Sequence, residues 1–265
     1  MVRNFRWRYV LAAMIVAVLF FVPATAGTAN AQALPKNKKV SVLLIGNSMV
    51  KRSGNDTMKY LKGMAKNAGR NLYLDYVAYG NEKLYNYCNS KNSHGKAAQK
   101  KIAQKKWDYI ILQENTDWAI AHGNTFLNAS IKLCKYIEKK CPTAKILYNC
   151  TWAYDKTVWI QGKKYTHSTQ QKNMNKKYLQ AASATGGSVC WTGNAFDKYR
   201  KVKKAKNLYV ADKNHASKYG WYLNAASMYA MIFQTSPSEC TYTGGLNCSH
   251  AKQLRKIAGQ VNGFR

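Results

Sequence analysis

The sequence predicts an α/β protein in which a central, mostly parallel five-stranded sheet lies between two layers of helices. Short apolar segments alternate along the chain with longer amphipathic ones, which is typical of strand–helix–strand units. Several short segments are apolar on both faces, as strands covered by helices on both sides must be. The sequence shows no internal repeat and no long linker, so one three-layer domain accounts for most of its length.

The amino-terminal segment, residues 1–31, has the pattern of a secretory signal peptide. Three arginines precede the apolar run Tyr9–Val22, which is shorter than the roughly 20 residues of a membrane-spanning helix. Ala29-Asn30-Ala31 fits the small-residue rule for cleavage, so we expect cutting before Gln32 and export of a single domain, residues 32–265. The alternative is an uncleaved membrane anchor.

The chain is strongly basic. Its net charge is +31, and removal of the signal segment, which holds three arginines and no acids, leaves +28. Such a charge attracts polyanions. For an exported protein we expect an anionic cell-wall polymer, an acidic polysaccharide or a membrane surface as the partner, with the protein secreted and held at the wall. The lysines are scattered among apolar residues, which does not favour nucleic acid as a partner.

The predicted strands are short and rich in Val, Ile, Leu and Tyr. They are Val40–Ile45, Leu72–Ala78, Tyr109–Gln113, Lys145–Thr151 and Ser188–Trp191. The predicted helices are longer and amphipathic. They are Asp56–Asn67, Lys96–Lys105, Thr125–Lys139, Gln170–Ala184, Ser217–Phe233 and His250–Val261. Ligands of such sheets bind beyond the carboxyl ends of the strands, so functional side chains should follow the strands directly.

Small or amide-bearing residues follow the first three predicted strands. These are Gly46-Asn47-Ser48, Tyr79-Gly80-Asn81 and Gln113-Glu114-Asn115. Ser48 is a candidate nucleophile at the carboxyl edge of the sheet, and the rival interpretation is an ordinary strand-to-helix turn. A serine nucleophile needs a base and a group that orients that base.

His215 is the candidate base, because Asp212 precedes it by three residues in a loop just before a predicted helix. The carboxylate in that arrangement can accept from Nδ1–H and leave Nε2 free for a hydroxyl proton. The rival interpretation is a surface acid beside an incidental histidine. The other four histidines have no such arrangement in the sequence.

Together these pieces resemble the SGNH, or GDSL-type, hydrolase superfamily. IGNS stands where many members have GDS, VAYGNEKL supplies the glycine of the second block, and ILQENTD stands where most members carry G-x-N-D. DKNHASKYGWYLNAA fits the D-x-x-H block and its following helix. The matches span about residues 40–230, and a subfamily with GNS and LQE motifs is most similar. The resemblance implies a flavodoxin-like SGNH hydrolase fold.

The resemblance also implies catalytic roles. Ser48 is the nucleophile, His215 is first the general base and then the general acid, and Asp212 fixes the tautomer of His215. Asn47 replaces the usual acid of GDS, at a position that need not take part in the chemistry. The implied chemistry requires no metal and no cofactor.

An oxyanion hole completes the implied site. The backbone N–H groups of Ser48 and Gly80 supply two donors, and a side-chain amide supplies the third. Gln113, at the end of the third predicted strand, is the expected third donor, and Asn115 is the alternative.

The expected function is a secreted serine esterase that works through an acyl-enzyme and removes acyl groups, such as acetyl, from carbohydrate or a cell-wall polymer. Small esters and lipids are alternative substrates. Four aromatic residues after the third and fourth strands are candidates for stacking on sugar rings or for core packing: Trp118, Trp152, Tyr154 and Trp159. The alternative from another class is a non-catalytic cationic protein that binds glycans or polyanions on the same fold.

All seven cysteines lie beyond the signal segment, and in an oxidising compartment some should pair. Cys240 and Cys248, which flank a glycine-containing loop, are the first candidate pair, and Cys134 and Cys141 are the second. Because the number is odd, at least one thiol is free or pairs between chains.

Overall fold

The computed structural model describes residues 32–52 and 56–264. The predicted signal peptide therefore lies outside the described residues. Within those residues, no helix is long and apolar enough to cross a membrane.

The described chain contains a five-stranded parallel sheet and a separate two-stranded hairpin. In chain order the strands are β1 (Lys39–Gly46), β2 (Asn71–Ala78), β3 (Tyr109–Leu112), β4 (Lys145–Asn149), β5 (Val158–Ile160), β6 (Lys163–Tyr165) and β7 (Ser188–Cys190). The sheet has the order β2-β1-β3-β4-β7, with every neighbouring pair parallel, whereas β5 and β6 pair antiparallel. The five predicted strands are the five strands of this sheet.

Helices cover both faces of the sheet. They are α1 (Thr57–Asn67), α2 (Leu84–Tyr87), α3 (Ser93–Ala103), α4 (Thr116–Ala121), α5 (Gly123–Lys140), α6 (His167–Thr185), α7 (Thr192–Arg200), α8 (Lys218–Phe233) and α9 (Cys248–Val261). Side chains of β1 alternate between two cores, with Val42 and Leu44 packed on the α1 and α8 side and Leu43 and Ile45 on the α5 and α6 side. The predicted three-layer α/β/α fold is confirmed.

The strand register brings three predicted site segments to one edge of the sheet. Gly46 at the end of β1 is level with Ala78 in β2, and Ile45 is level with Leu112 in β3. The residues that follow these positions, Ser48, Gly80 and Gln113, therefore leave the sheet at the same carboxyl edge.

The elements that the sequence patterns did not predict are short. They are α2, α4, α7, the β5–β6 hairpin and a 3-10 turn at Pro237–Glu239. The hairpin turn has positive φ at both Gln161 (50°) and Gly162 (72°), which is the type I′ geometry that suits the twist of a two-residue hairpin. Trp191, predicted as the last strand residue, is instead the N-cap of α7.

All seven cysteines are free thiols in the structure, so neither predicted disulfide is present. Cys134 and Cys141 lie along and just beyond α5, so their Cα atoms are separated by about 10 Å, which is too far for a disulfide. The Cys240 side chain is buried, whereas Cys248 lies exposed at the start of α9.

Helix α8 is buried on nearly all sides and carries a polar side chain, Asn224, in its centre. The Asn224 amide donates to Thr57 Oγ1 at 2.8 Å and its carbonyl oxygen accepts from Asn149 and from Thr192, both at 3.2 Å. One buried amide thus ties α8 to α1, β4 and α7, and its removal would leave several buried polar groups without partners.

We therefore predict that Asn224→Ala lowers the free energy of unfolding by about 1–3 kcal/mol, since unpaired buried groups carry a desolvation penalty. Denaturant unfolding followed by circular dichroism measures the change. Ser227→Ala is the matched control on the same helix, because the buried Ser227 hydroxyl has no hydrogen-bond partner among the described residues. Equal destabilisation by both substitutions would contradict the proposed role of the Asn224 network.

Candidate active site

A tight turn after β1 presents Ser48. The Val50 N–H donates to Asn47 O at 3.1 Å, and the Asn47 side-chain oxygen accepts from Met49 N–H at 3.0 Å. The Asn47 amide nitrogen also donates to Glu82 O at 2.9 Å, in the segment that follows β2. Asn47 is buried, whereas Ser48 is only half-buried, so the turn hides the amide and leaves the hydroxyl accessible.

Gln113 fixes the start of this turn and does not have the predicted oxyanion role. Its side-chain oxygen accepts from Asn47 N–H at 2.9 Å, and its amide nitrogen donates to Glu114 O. The side chain is fully buried, so both of its polar atoms serve the backbone. Gln113 was predicted as the last residue of the third strand, whereas β3 ends at Leu112, and the Gln113 amide supports the turn that carries Ser48.

Gly46 is required by the same contact. A Cβ atom at position 46 would lie 2.6 Å from Gln113 Oε1 and 2.9 Å from Val50 Cγ2. Both neighbours are fully buried, so neither can move aside cheaply. The glycine of the IGNS motif therefore permits close packing of the Gln113 amide against β1.

The structure brings the predicted base and acid to Ser48. The distance from His215 Nε2 to Ser48 Oγ is 3.0 Å, and that from His215 Nδ1 to Asp212 Oδ2 is 2.7 Å. The other Asp212 oxygen accepts from the backbone N–H groups of Asn214 and His215 at 2.8 and 2.9 Å. Serine, histidine and aspartate thus form one continuous hydrogen-bonded chain, the geometry of a catalytic triad.

The Asp212 carboxylate is held in its ionised form. Partial burial raises the pKa of this group, but hydrogen bonds from the backbone and ring of His215 and from Asn214 N–H outweigh burial and lower the pKa to about 2. Arg52 Nη1 lies 3.6 Å from Asp212 Oδ2. At neutral pH the carboxylate can therefore orient His215 and stabilise its protonated ring.

A buried tryptophan holds the loop that carries the acid and the base. Trp152 Nε1 donates to Asn214 O at 2.9 Å, and the indole stacks on Phe196 with ring centroids 4.4 Å apart. Asp155 N–H donates to Lys213 O at 2.8 Å, where Lys213 adopts a positive φ of 59°. The segment after β4 therefore positions the loop that carries His215, and no motif in the sequence indicated this contact.

The four predicted stacking aromatics differ in exposure. Trp152 is fully buried and belongs to the core, whereas Trp159 on the hairpin is 68% exposed. Tyr154 and Trp118 are half-buried, and Lys83 Nζ lies 5.0 Å from the Trp118 ring centroid. The stacking role is thus excluded for Trp152 and stays a prediction for the other three.

The loop after β2 carries Gly80 and is tied to the loop after β3. Asn115 Nδ2 donates to Asn81 Oδ1 at 2.7 Å, and Asn115 Oδ1 caps α4 by accepting from Asp117 N–H at 3.0 Å. Asn115, the alternative third donor, is therefore engaged with the Gly80 loop. The oxyanion roles of Gly80 and of the Ser48 N–H stay predictions.

Two acids near this edge were not singled out from the sequence. Glu82 contacts His94 and accepts from Lys83 N–H at 2.9 Å. Glu114 is fully buried, and its Oε1 accepts from Asn115 N–H at 2.6 Å and from Leu84 N–H at 3.2 Å. Burial raises the pKa of Glu114 to about 8 despite these hydrogen bonds, so the group is protonated at neutral pH.

Comparison with solved structures finds similar folds at low sequence identity. A protein of the DUF4886 family from Bacteroides uniformis matches with a TM-score of 0.72 at 17% identity, over 86% of this chain and 97% of its own. A candidate SGNH hydrolase from Slackia heliotrinireducens matches with a TM-score of 0.61 at 21% identity, over 72% of this chain and 98% of its own. The lipase/acylhydrolase from Enterococcus faecalis matches with a TM-score of 0.55 at 15% identity, over 74% of this chain and 96% of its own. No protein-family model and no curated protein matches the sequence.

The packing at Gly46 gives a testable consequence. We predict that Gly46→Ala lowers the free energy of unfolding by about 1–3 kcal/mol, the usual cost of overpacking, and disturbs the Ser48 turn. Gly80→Ala is the stability control, because a Cβ at position 80 meets no atom within 4 Å. Denaturant titration compares the two variants, and a Gly46→Ala protein as stable as Gly80→Ala would contradict the close-packing argument.

The buried Glu114 predicts a pH dependence of stability. Between its ordinary pKa of 4.5 and about 8, the folded state keeps a proton that the unfolded state releases. Stability should therefore fall as pH rises through this window, by up to about 1.4 kcal/mol per pH unit, and level off above it.

Glu114→Gln tests this dependence, because the amide keeps the acceptor oxygen and does not ionise. The difference in unfolding free energy between the variant and the wild type should grow from pH 5 to pH 8 in favour of the variant. If plots of unfolding free energy against pH stay parallel for the variant and the wild type across this range, Glu114 has no raised pKa.

Proposed function

Because the chain has the SGNH hydrolase fold, we propose that it is a serine esterase that cleaves carboxylic esters through an acyl-enzyme at Ser48. The observation that carries the proposal is the hydrogen-bonded chain from Ser48 through His215 to Asp212. These residues come from two loops 167 positions apart in sequence, and each loop is held by its own buried contacts.

The proton path follows from this chain. His215 Nε2 accepts the Ser48 hydroxyl proton as Oγ attacks the ester carbonyl, and the ionised Asp212 stabilises the resulting imidazolium through Nδ1–H. The imidazolium then protonates the departing alcohol, and the acyl group stays on Oγ. In the second half-reaction His215 deprotonates a water molecule, which attacks the acyl-enzyme. The imidazolium then returns this proton to Ser48 Oγ as the acyl–oxygen bond breaks and the acid leaves.

Charge that develops on the carbonyl oxygen needs donors nearby. We assign two donors to the backbone N–H groups of Ser48 and Gly80, since the turn and the neighbouring loop leave the same edge of the sheet. The Asn115–Asn81 hydrogen bond would hold the Gly80 loop at this edge. Gln113 contributes indirectly, by fixing the Asn47 N–H at the base of the nucleophile turn.

For the substrate we propose an acylated carbohydrate, with acetyl as the acyl group and an exported anionic polymer as the carrier. Three features support this proposal: the net charge, the exposed aromatic side chains and the signal-like residues 1–31. A positively charged surface raises the local concentration of an anionic polymer, whereas the chemistry at Ser48 is local and independent of that charge.

The triad gives the decisive test of activity. We predict that Ser48→Ala lowers kcat for p-nitrophenyl acetate by a factor on the order of 10³–10⁶, and that adding His215→Ala lowers it little further, because the triad acts as a unit. Thermal unfolding of each variant, compared with that of the wild type, shows whether the lost activity reflects lost structure.

Labelling by a fluorophosphonate provides a second readout. The wild type should be labelled at Ser48, and His215→Ala should be labelled far more slowly, because the base no longer activates the hydroxyl. An unlabelled wild-type protein without ester turnover that still binds an acidic glycan would instead support the non-catalytic glycan-binding alternative.

A further inference from the structure

A buried tyrosine hydroxyl lies between the carboxyl ends of β1 and β2. Tyr87 Oη donates to Gly46 O at 2.5 Å and accepts from Tyr79 N–H at 3.3 Å. Gly46 is the last residue of β1, and Tyr79 is the first residue after β2. The Tyr87 side chain is fully buried, so these two backbone groups are joined through one hydroxyl that is shielded from water.

On the other side of β1 the strand ends pair directly. Gln113, the first residue after β3, donates its N–H to Ile45 O at 2.9 Å and so continues the ladder between β1 and β3 by one step. Gly46 and Ala78 are the last level pair of β1 and β2, so Tyr79 N–H holds the corresponding position there. Two hydrogen bonds in series keep Tyr79 N farther from Gly46 O than one direct hydrogen bond would. The hydroxyl therefore holds the ends of β1 and β2 apart.

The chemistry of the hydroxyl fixes the direction of both bonds. A phenol has one hydrogen to donate and can accept in addition, whereas Gly46 O can only accept and Tyr79 N–H can only donate. Burial raises the pKa of Tyr87 above its ordinary value of 10.0. The hydroxyl therefore keeps its hydrogen at neutral pH, and both bonds persist over the range in which the triad would work.

The turn that carries Gly80 is anchored at its other end as well. Glu82 N–H donates to Tyr79 O at 3.3 Å, and this bond closes the turn around Gly80. Glu82 O in turn accepts from Asn47 Nδ2 at 2.9 Å. Because Asn47 directly precedes Ser48, this hydrogen bond ties the end of the Gly80 turn to the turn that carries Ser48.

Helix α2, which carries Tyr87, is itself held by the neighbouring loops. At its start, Leu84 N–H donates to Glu114 Oε1 at 3.2 Å. Asn86 Nδ2 donates to Glu82 Oε1 at 2.5 Å. The helix has only 4 residues, so these contacts, rather than its length, keep Tyr87 at a fixed position between the strand ends.

We propose that Tyr87 is a positioning residue that sets the distance between the Ser48 turn and the Gly80 turn, and hence between the two backbone N–H groups assigned to the oxyanion hole. The proposal rests on the proposed esterase function, because an oxyanion is what needs both donors at once. Such donors act when each lies about 2.7–3.1 Å from the oxygen that becomes charged. The rival interpretation is a buried tyrosine that stabilises the sheet and has no effect on catalysis.

Tyr87→Phe tests the proposal, because it removes the hydroxyl and keeps the ring. Tyr79 N–H and Gly46 O can then approach each other, which moves Gly80 relative to Ser48. We expect kcat for p-nitrophenyl acetate to fall by about tenfold to a hundredfold, since misplacement by about 1 Å can cost about 10²-fold in rate. KM should change by less than about twofold, because the oxyanion forms only in the transition state.

Inhibition by methaneboronic acid provides a readout that a merely structural role would not move. Addition of the boronic acid to Ser48 Oγ gives a tetrahedral adduct with an oxygen at the oxyanion position. Its Ki should rise in Tyr87→Phe by about the same factor as kcat/KM falls, because both quantities report stabilisation of the tetrahedral state. A tyrosine that only stabilises the sheet would lower the melting temperature and leave Ki unchanged.

Tyr148→Phe is the matched control. Tyr148 is also fully buried, and its hydroxyl lies 3.1 Å from the hydroxyl of Thr185, the last residue of α6. Loss of this hydroxyl removes one buried hydrogen bond, as Tyr87→Phe does, so it should lower thermal stability and leave kcat within about twofold. An equal loss of kcat in both variants, or an unchanged kcat in Tyr87→Phe, would overturn the proposal.

Hydrogen exchange of the wild type tests the contact even if Tyr87→Phe does not fold. Tyr79 N–H should exchange at least about tenfold more slowly than in an unstructured peptide, because it donates to a buried hydroxyl. Gln113 N–H is the reference for a direct bond between strand ends. Exchange of Tyr79 N–H at the rate of an unstructured peptide would overturn the proposal.

Turnover by the wild type separates this proposal from the proposed function. Absent turnover of p-nitrophenyl acetate by the wild type would count against the chemistry at Ser48. Normal turnover by the wild type, with kcat and Ki unchanged in Tyr87→Phe, would count against Tyr87 alone.

Discussion

The hydrogen bond from Asn47 N–H to the buried Gln113 amide is the contact on which the candidate site depends. It joins the end of β1 to the end of β3 and requires glycine at position 46, because any side chain there would occupy the space of the amide. Ser48, the candidate nucleophile, thus lies in a turn whose first residue is fixed to the neighbouring strand. Small errors in the position of a catalytic group reduce rates strongly, so a rigid support of this kind is what the proposed chemistry needs.

The loop of His215, the candidate base, is supported independently of the turn that carries Ser48. The loop with Asp212 and His215 is held by Trp152 and Asp155, which follow β4, and it has no direct contact with Gln113 in the described hydrogen bonds. The two supports meet at the Ser48–His215 contact of 3.0 Å. The candidate triad therefore depends on contacts in two separate parts of the core.

Much of the fold could be predicted from sequence because its signals are local and strong. Strand β3 is buried along its whole length and β1 along all but its first residue, and helices such as α1 combine an amphipathic pattern with an N-cap, here Asp56. The unpredicted helices α2 and α4 are only 4 and 6 residues long, too short for periodicity to show.

Residues of the candidate site could be predicted where the order of motifs along the chain indicates them. Roles that depend on tertiary contacts could not be predicted. Ser48, Asp212 and His215 could be placed by their positions after strands and before a helix. The role of Gln113 depends on which way its amide turns, and that direction is set by packing against Gly46. Likewise, nothing local to Trp152 shows that its indole supports the loop of the base, since the partner lies 62 residues away.

The distance in sequence between Ser48 and His215 bears on the biosynthesis of the chain. Ser48 emerges early from the ribosome, but its partner lies 167 residues further on, and α8, which follows His215 directly, docks on α1 through the Asn224–Thr57 bond. Loop closure over such separations is slow compared with local helix formation. On a growing chain, Ser48 therefore lacks its hydrogen-bond partner His215 until residues far along the chain have been synthesised and packed, and formation of the Ser48–His215 contact is a late event in folding.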